Sequence, residues 1–344
     1  MNPEPLLEIK GLKTYFKLDE GTVKAVDGVS FEVPRGVTLG VVGESGCGKS
    51  VMAYSIMKLV AHPGKIVDGE ILLHRPVPGA KQSDIVDMAK LGPNSPEIRD
   101  IRGKDIAMIF QEPMTSLSMF YTIGFQVTEA IQIHTGLNER QSRQKVIELL
   151  NQVSIPRPER RIDDYPFQLS GGMRQRVMIA MALSCEPSLL IADEPTTALD
   201  VTIQAQVLRL LRELQQELGT AIVFITHDLA VVAEIADAVV VMYAGRVVER
   251  ADAVTLFERA AHPYTRGLLA ARPRPGRTRH DGPLHVIPGR VPQPHERQPG
   301  CSYANRCDRA QSRCRDAAPL LQALPRTGDA VAHDVACFYP VVHE

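Results

Sequence analysis

The chain has 344 residues, a formal charge of −1 at pH 7 and a hydrophobic fraction of 44%. This length favours two domains, or one large domain with an appendage. The near-neutral charge argues against a general binder of nucleic acid or other polyanions. No apolar run approaches the ~18 residues of a membrane span. The N-terminal residues lack the apolar core of a secretory signal. We therefore expect a cytosolic protein.

The N-terminal segment is predicted to form strands. From Leu6 to Val42, short apolar runs alternate with turn signals, which indicates an antiparallel set. The last run, Val37–Val42, is apolar enough for a buried strand. The pattern predicts a helix over Val51–Val60.

A glycine-rich loop lies between that strand and that helix. The residues Gly43-Glu44-Ser45-Gly46-Cys47-Gly48-Lys49-Ser50 fit the pattern G-x-x-x-x-G-K-[ST], and Val51 follows. Glycines allow successive backbone N–H groups to turn around phosphates, at the positive end of the next helix. Lys49 would reach the β- and γ-phosphates, and the Ser50 hydroxyl would ligate Mg²⁺. The loop therefore predicts a nucleoside triphosphate site.

The middle of the chain is predicted to be helical, and strands alternate with helices after it. A helical insert covers about 114–168, with its clearest apolar stripe over Arg140–Val153. Three strands are predicted next, at Ser188–Ala192, Ala221–Thr226 and Ala238–Tyr243. One helix, Thr202–Leu218, is predicted between the first two of these strands, with Asp200 as its N-cap. Such alternation implies a parallel sheet covered by helices. We expect an α/β fold with a phosphate-loop (RecA-like) core, an antiparallel β-subdomain, the helical insert and a small irregular C-terminal extension.

Two acids, Asp193 and Glu194, end the strand predicted at 188–192. In phosphate-loop ATPases the first acid holds Mg²⁺. The second lies where a general base could polarise an attacking water. An acid that merely caps the next turn explains this pair equally well when it is considered alone.

Two more patterns carry candidate functional residues. Ser170, followed by Gly171 and Gly172, opens the helical run Arg174–Leu183. Ser170 is a good N-cap, and two glycines at a helix start would let an anion approach the backbone amides. His227 directly follows a predicted strand, and functional sites gather at strand ends of parallel sheets, although a lone His there is usually structural.

Taken together, these elements resemble the ATP-binding-cassette (ABC) ATPases over about residues 6–255. The motifs occur in the family's order: the phosphate loop, the glutamine loop at Gln111, the signature motif at Leu169–Met173, the second Walker motif at Asp193 and Glu194, the D-loop at Thr197–Asp200, and the switch histidine His227. Phe16 lies where an aromatic ring stacks on adenine in this family, and neighbouring Tyr15 is the alternative.

The resemblance implies a head-to-tail dimer that binds ATP and Mg²⁺ between its subunits. The residues implied to serve this chain's own nucleotide are Phe16, Lys49, Ser50, Gln111, Asp193, Glu194, Asp200 and His227. Of these, Lys49, Gln111, Glu194 and His227 are implied to be catalytic, and Ser50, Gln111 and Asp193 to hold Mg²⁺. Ser170, Gly171 and Gly172 are implied to contact the ATP held by the partner.

Three further stretches resemble the ATPase subunits of oligopeptide and dipeptide importers: FQEPMTSL (110–117), LSGGMRQRV (169–177) and AHPYTRGLL (261–269). The chain departs from those relatives at Ser118-Met119-Phe120, where Asn-Pro is usual. The resemblance implies an ABC domain over 1–255, with a helical subdomain at about 114–185, and an importer-type extension over 256–344.

The same resemblance implies a role and partners. The chain would power peptide uptake from the cytoplasmic face of the cell membrane. Its partners would be a second ABC ATPase subunit (a paralogue), two transmembrane permease subunits and an extracytoplasmic peptide-binding protein, with no nucleic acid. Alternatives are a subunit of the same type for nickel or haem uptake, and a soluble ABC protein that acts on nucleic acid.

Four cysteines crowd the end of the chain: Cys301, Cys307, Cys314 and Cys337. In a reducing cytosol such a group suggests a metal more than disulfides. Structural zinc favours closer pairs, whereas an iron–sulfur cluster accepts wider spacings. Some importer relatives carry a [4Fe–4S] cluster here, which favours the cluster over zinc or no metal. The Pro-, Arg- and Gly-rich stretch 272–300 before the cysteines is predicted to be an irregular linker.

Overall fold

The computed structural model of the chain describes residues 5–76, 83–111, 116–197, 199–272, 285–292, 299–325 and 332–341. The strands are β1 (Pro5–Leu18), β2 (Gly21–Pro34), β3 (Thr38–Val42), β4 (Gly64–Arg75), β5 (Asp84–Asp87), β6 (Ile106–Ile109), β7 (Leu189–Asp193), β8 (Ala221–Thr226), β9 (Ala238–Tyr243), β10 (Arg246–Asp252), β11 (Gln322–Ala323) and β12 (Asp334–Val335).

The helices within the same residues are α1 (Lys49–Ile56), α2 (Pro96–Lys104), α3 (Ile123–Thr135), α4 (Glu139–Gln152), α5 (Pro158–Arg161), α6 (Gly171–Leu183), α7 (Val201–Leu218), α8 (Leu229–Ile235), α9 (Ala253–Arg259), α10 (Pro263–Ala271) and α11 (Ser312–Asp316). None of these described helices is both long enough and apolar enough to cross a membrane.

The chain divides into two compact units, each built from several segments. Unit 1 comprises Met1–Leu7, Glu32–Thr38 and Leu72–Ile225. Unit 2 comprises Glu8–Phe31, Leu39–Ile71 and Thr226–Glu344. The phosphate loop and the C-terminal cysteines therefore belong to unit 2, and the second Walker motif and the signature motif belong to unit 1.

Unit 1 contains three parallel strands in the order β6, β7, β8. Ile106 is paired with Leu189, and Leu189 with Ala221. Every residue of these strands is buried. Continuous apolar runs of this kind suit parallel strands that are covered on both faces. The helices α3–α6 connect β6 to β7, and α7 connects β7 to β8, so the predicted alternation is confirmed here.

Local capping explains where two helices of unit 1 begin. Ser170 caps α6, because its hydroxyl accepts a hydrogen bond from the Met173 N–H at 3.3 Å. Asp200 caps α7 in the same way, through the Ile203 N–H at 3.0 Å. Gly219 ends α7 in the left-handed region at φ 66°. Both predicted N-caps are therefore confirmed.

Unit 2 places β3 beside β9 in parallel, with Leu39 paired to Ala238. β10, β12 and β11 follow in that order, and each pairs antiparallel with its neighbour. A buried core cluster includes Val42, Val239, Val241, Tyr243, Tyr264 and Tyr303. Residues that are far apart along the chain therefore pack around the strand that precedes the phosphate loop.

A separate four-stranded sheet has the order β2-β1-β4-β5. β4 and β5 pair antiparallel, with Leu72 opposite Asp87. β1 and β2 are 14 residues long each and alternate buried with more exposed positions along much of their length. The expected β-subdomain at the start of the chain is present, and it also includes β4 and β5, which the sequence patterns did not predict.

The structure differs from the sequence-based expectations at several boundaries. The helix expected over Val51–Val60 is α1, which ends at Ile56 because Lys58 adopts a positive φ of 53°. β7 extends to Asp193, one residue beyond the predicted strand. The linker predicted at 272–300 lies mostly outside the described residues, as do residues 112–115 of the FQEPMTSL stretch and Ala198 of the D-loop.

Candidate functional site: a phosphate loop and a second Walker motif

The phosphate loop follows directly on β3 and leads into α1 in unit 2. Two of its glycines occupy positions where a side chain would not fit. A Cβ on Gly43 would lie 2.2 Å from the Met242 carbonyl oxygen, and a Cβ on Gly48 would lie 2.3 Å from that of Ala25. Both also have positive φ angles, 156° and 102°. The loop therefore keeps its curvature through backbone geometry that only glycine permits.

Lys49 is the buried cation of the loop. Its Nζ donates hydrogen bonds to the carbonyl oxygens of Gly43 at 2.8 Å and Glu44 at 3.3 Å. The ammonium group is thus held over the curve that the backbone forms, which is where the pattern predicted a phosphate-binding lysine. Burial raises the pKa of the neighbouring Cys47 thiol, while Lys49 opposes that shift.

Neighbouring segments of unit 2 support the loop from outside. The Gly245 N–H donates to the Cys47 carbonyl at 2.8 Å. The Glu44 N–H donates to the Tyr264 hydroxyl at 2.9 Å, and Arg306 pairs with the Glu44 carboxylate. Tyr264 lies in the AHPYTRGLL stretch, whereas Arg306 carried no sequence signal of its own except its place between two of the cysteines.

The two acids of the second Walker motif lie at the end of β7 in unit 1. Asp193 is fully buried, and Glu194 is 9% exposed. Glu194 adopts a positive φ of 48°, and its N–H donates to the Ile225 carbonyl at 2.9 Å. A non-glycine residue with a positive φ is strained. The hydrogen bond to Ile225 of β8 holds this backbone turn in place, and the turn sets the direction of the Glu194 side chain.

The Glu194 carboxylate receives two side-chain hydrogen bonds. The Gln111 amide donates to Glu194 Oε2 at 3.1 Å, and the Thr197 hydroxyl donates to the same oxygen at 3.0 Å. The structure thus brings together the predicted glutamine-loop residue and the predicted general base, which are 83 residues apart. Thr197 belongs to the predicted D-loop, but its contact with Glu194 was not predicted.

The signature motif opens α6 in unit 1. Ser170 and Gly171 are exposed, and Gly172 is half-buried. A Cβ on Gly172 would come within 3.0 Å of Ile203, whereas one on Gly171 would meet nothing within 4 Å. Arg174 donates to the carbonyls of Pro166 and Leu169, at 2.8 and 3.1 Å. The helix start is thus firmly supported while its first residues face solvent.

The remaining predicted site residues have distinct environments. His227 directly follows β8 along the chain, belongs to unit 2 and is exposed. Asp200 is exposed at the start of α7. Phe16 packs closely over Gly64, where an added Cβ would lie 2.5 Å from its ring. Tyr15 instead donates its hydroxyl proton to Asp27 at 2.6 Å, so its polar end is already engaged.

All four C-terminal cysteines line one small cavity in unit 2. Burial raises the pKa values of Cys301, Cys307 and Cys337, the last to about 11. Within the described part of the chain, no group of three or more His, Cys, Asp or Glu side chains is arranged to hold a metal ion. This geometry therefore does not support the predicted iron–sulfur cluster.

Two family descriptions match this sequence. Residues 26–197 match "ABC transporter", and residues 248–314 match "Oligopeptide/dipeptide transporter, C-terminal region". The first match includes the phosphate loop and both acids of the second Walker motif, and the second includes Cys301, Cys307 and Cys314.

Curated relatives are similar along nearly the whole chain. A probable peptide ABC transporter ATP-binding protein, y4tR of Sinorhizobium fredii, is 49% identical over 95% of this chain and 94% of the relative. The dipeptide transport ATP-binding protein DppD of Escherichia coli is 47% identical over 98% and 97%. The oligopeptide transport ATP-binding protein AppD of Bacillus subtilis is 49% identical over 92% of each chain.

Solved structures agree with the fold. A post-hydrolysis dimer of the ATP-binding cassette MJ0796 bound to ADP and Pi superposes with a TM-score of 0.62 at 27% identity. That match covers 72% of this chain and 98% of the other. The expected α/β cassette fold with an antiparallel β-subdomain is confirmed.

Proposed function

This chain belongs to the ABC transporter ATPases, and we propose that it hydrolyses ATP to power the import of peptides across the cytoplasmic membrane. The observation that carries the ATPase proposal is the Glu194 carboxylate, which is buried at the end of β7 and oriented by Gln111 and Thr197. A fixed carboxylate at this place in a phosphate-loop ATPase is suited to polarise a water molecule for attack on the γ-phosphate.

The proposed roles of the other residues follow from the motifs that they occupy. The backbone N–H groups of residues 43–51 and the Lys49 ammonium bind the ATP phosphates, and Phe16 stacks on the adenine. Ser50, Gln111 and Asp193 supply oxygen donors of the kind that Mg²⁺ prefers. His227 contacts the γ-phosphate. Ser170, Gly171 and Gly172 contact the ATP bound by a second ATPase subunit.

The proposal of peptide import rests on the relatives and on the C-terminal extension. Residues 248–314 match a region described for oligopeptide and dipeptide transporters, and relatives at 47–49% identity are named for peptide, dipeptide or oligopeptide transport. We propose two membrane permease subunits, a paralogous ATPase subunit and an extracytoplasmic peptide-binding protein as partners. The chain would then act from the cytoplasmic face of the membrane.

The ATPase proposal predicts a specific separation of binding from turnover. Glu194→Gln keeps a similar shape but cannot accept the proton of water, so we expect ATP turnover to fall by about a hundredfold or more while ATP binding is preserved. Steady-state hydrolysis by the assembled transporter and titration with a fluorescent ATP analogue measure the two properties. Glu217→Gln, a change at an exposed position of α7, is the matched control. Turnover near the wild-type rate in the Glu194 variant would refute this role.

For the C-terminal cysteines we retain the iron–sulfur cluster as a proposal. Its support is the single cavity that all four side chains line, together with the match of residues 248–314, which include three of the cysteines, to the C-terminal region of oligopeptide and dipeptide transporters. We expect protein purified without oxygen to contain iron and labile sulfide. Its absorbance should show a band at roughly 400 nm from an Fe–S cluster. Cys314→Ser should abolish the absorbance. Colourless protein that contains stoichiometric zinc, or no metal, would overturn the proposal.

A further inference from the structure

The side chain of Arg306 joins the C-terminal cysteines to the phosphate loop within unit 2. Its guanidinium forms a bidentate ion pair with Glu44, with Nη1 2.7 Å from Oε2 and Nη2 3.0 Å from Oε1. The Arg306 side chain is 5% exposed and that of Glu44 is 29% exposed. Parallel hydrogen bonds between a guanidinium and a carboxylate fix direction as well as charge. This contact spans 262 positions of sequence.

Two further groups of unit 2, one in β9 and one in the extension, hold Arg306 in position. Its Nε donates to the Pro288 carbonyl at 2.8 Å, and Nη1 also donates to the Tyr243 hydroxyl at 3.3 Å. The guanidinium carbon lies 5.8 Å from the centroid of the Tyr243 ring. The hydrogen bond with Glu44 raises the pKa of Arg306 and so favours the charged guanidinium.

The backbone of Arg306 is set by what we call the cysteine segment, residues 301–316. Arg306 ends the short helical turn Ala304–Arg306, which lies between Cys301 and Cys307. The Cys301 N–H donates to the Cys314 carbonyl at 2.7 Å and closes the segment on itself. Cys301 and Cys307 pack against the core cluster that includes Tyr243 and Tyr264. The guanidinium is therefore presented by the part of the chain that carries the cysteines.

Glu44 transmits this support to the phosphate-binding part of the loop. Its carbonyl oxygen accepts hydrogen bonds from Lys49 Nζ at 3.3 Å and from the Cys47 N–H at 3.2 Å. Its own N–H is bound by the Tyr264 hydroxyl. A displacement of Glu44 would therefore move a partner of the Lys49 ammonium and change the curve of the backbone amides.

We propose that Arg306 is a positioning residue for nucleotide binding, through which the cysteine segment holds the phosphate loop in its ATP-binding shape. The inference rests on the proposed function, because it assumes that this loop binds ATP. Within the described residues, the side chain of Arg306 is hydrogen-bonded to Pro288, Glu44 and Tyr243 and not to the groups proposed for hydrolysis. Its loss should therefore weaken ATP binding more than it slows the chemical step.

The test compares two arginines of the same segment in the full chain. We expect Arg306→Gln to raise the ATP dissociation constant and the KM of the assembled transporter about tenfold, since a charge-assisted bidentate pair is lost, while kcat at saturating ATP stays within about twofold. Arg313→Gln is the matched control, because its guanidinium lies over the Phe338 ring at 4.2 Å. That variant should leave the dissociation constant within about twofold of wild type.

A double-mutant cycle separates the ion pair from a general loss of folding. Glu44→Gln should weaken ATP binding to a similar extent, and Arg306→Gln should add little in that background. Arg306→Lys keeps the charge but not the planar fork, so it should restore part of the affinity. If Arg306→Gln melts at too low a temperature to assay, Glu44→Gln alone decides the matter, because an unchanged dissociation constant in that variant overturns the inference.

Three outcomes would overturn the inference: an unchanged dissociation constant in Arg306→Gln, an equal loss in Arg313→Gln, or additive effects in the cycle. The proposed function fails separately. If wild-type protein binds no ATP, or binds it equally well after Lys49→Ala, the loop is not the nucleotide site. Normal wild-type binding with no effect of Arg306→Gln refutes only the positioning role.

Discussion

The phosphate loop and the cysteine segment are both short irregular stretches of unit 2, but they are held in shape by different means. The backbone path of the loop depends on Gly43 and Gly48, because an added Cβ would lie 2.2 Å and 2.3 Å, respectively, from a carbonyl oxygen. The cysteine segment depends on side chains and strands from elsewhere in the chain. Glycines therefore set the backbone path of the loop locally, while Tyr264 and Arg306 support it from outside. The cysteines, in contrast, are brought together only by the rest of the fold.

Residues of β10 anchor the extension before and after the cysteine segment. The fully buried Glu249 of β10 accepts hydrogen bonds from the N–H groups of Ala261 and His262, at 2.6 and 3.0 Å. His333 Nε2 lies 2.7 Å from the same carboxylate. Arg250 pairs with Asp334 of β12. One strand thus holds both the start of α10 and the last part of the extension.

The largest effect is expected at Gly43, where an added Cβ would lie 2.2 Å from a backbone carbonyl oxygen. We expect Gly43→Ala to weaken ATP binding by up to about a hundredfold, because overpacking against a backbone carbonyl typically costs about 1–3 kcal/mol. Titration with an ATP analogue measures the change. Gly46→Ala is the control within the loop, since its φ is also positive, at 77°, but an added Cβ would meet nothing within 4 Å. An equal loss in both variants would show that backbone strain alone, and not the contact, governs the loop.

A pH-dependent loss of stability is expected where the extension is anchored. Burial lowers the pKa of His262 to about 4, against a smaller opposing effect of Glu249. Its Nδ1 accepts the Tyr264 N–H at 3.0 Å, which requires the neutral ring. Between pH 4 and 6.5 the unfolded chain binds a proton that the folded chain does not. Stability from this group is therefore complete above pH 6.5 and falls as the pH is lowered, by about 2 kcal/mol at pH 5.

Thermal melting of variants at pH 7.5 and pH 5 measures this contribution. The stability advantage of wild type over His262→Gln should shrink at pH 5, whereas the exposed His285→Gln should show no such change relative to wild type. A constant difference between wild type and His262→Gln at the two pH values would mean that folding does not shift the pKa of His262.

A smaller effect is expected at the aromatic residues of β1. Phe16→Ala should raise the KM for ATP about tenfold, since stacking of a base on an aromatic ring contributes about 1–3 kcal/mol. Tyr15→Phe should change the KM less than about twofold, because it removes only the hydroxyl that donates to Asp27. An unchanged KM in Phe16→Ala would overturn the stacking role of Phe16.

Local patterns predicted much of the fold. The strands Ala221–Thr226 and Ala238–Tyr243 have the predicted bounds, and the predicted helix Thr202–Leu218 starts one residue earlier, at Val201. These elements were predictable because apolar runs, periodic stripes and caps act over a few residues. β6 was missed because four apolar residues, Ile106–Ile109, are too short to separate a strand from a buried helical turn.

The candidate site was predicted as a set of residues but not as a set of contacts. The hydrogen bond from Gln111 to Glu194 and the ion pair between Arg306 and Glu44 join residues far apart along the chain. Their geometry depends on how sheets and helices pack, which a single sequence does not specify. Arg306 would have been found only if its place among the cysteines had been considered together with the charge of Glu44.

The left-handed backbone at Glu194 sets thermal stability against catalytic activity at that position. A residue with a side chain costs about 1–3 kcal/mol in such a conformation, and glycine avoids most of that cost. Variants selected only for resistance to heat would therefore be expected to accumulate Gly or Asn at position 194 and to lose the acid. A mutant library designed to raise the thermal stability of this protein should therefore leave position 194 unchanged.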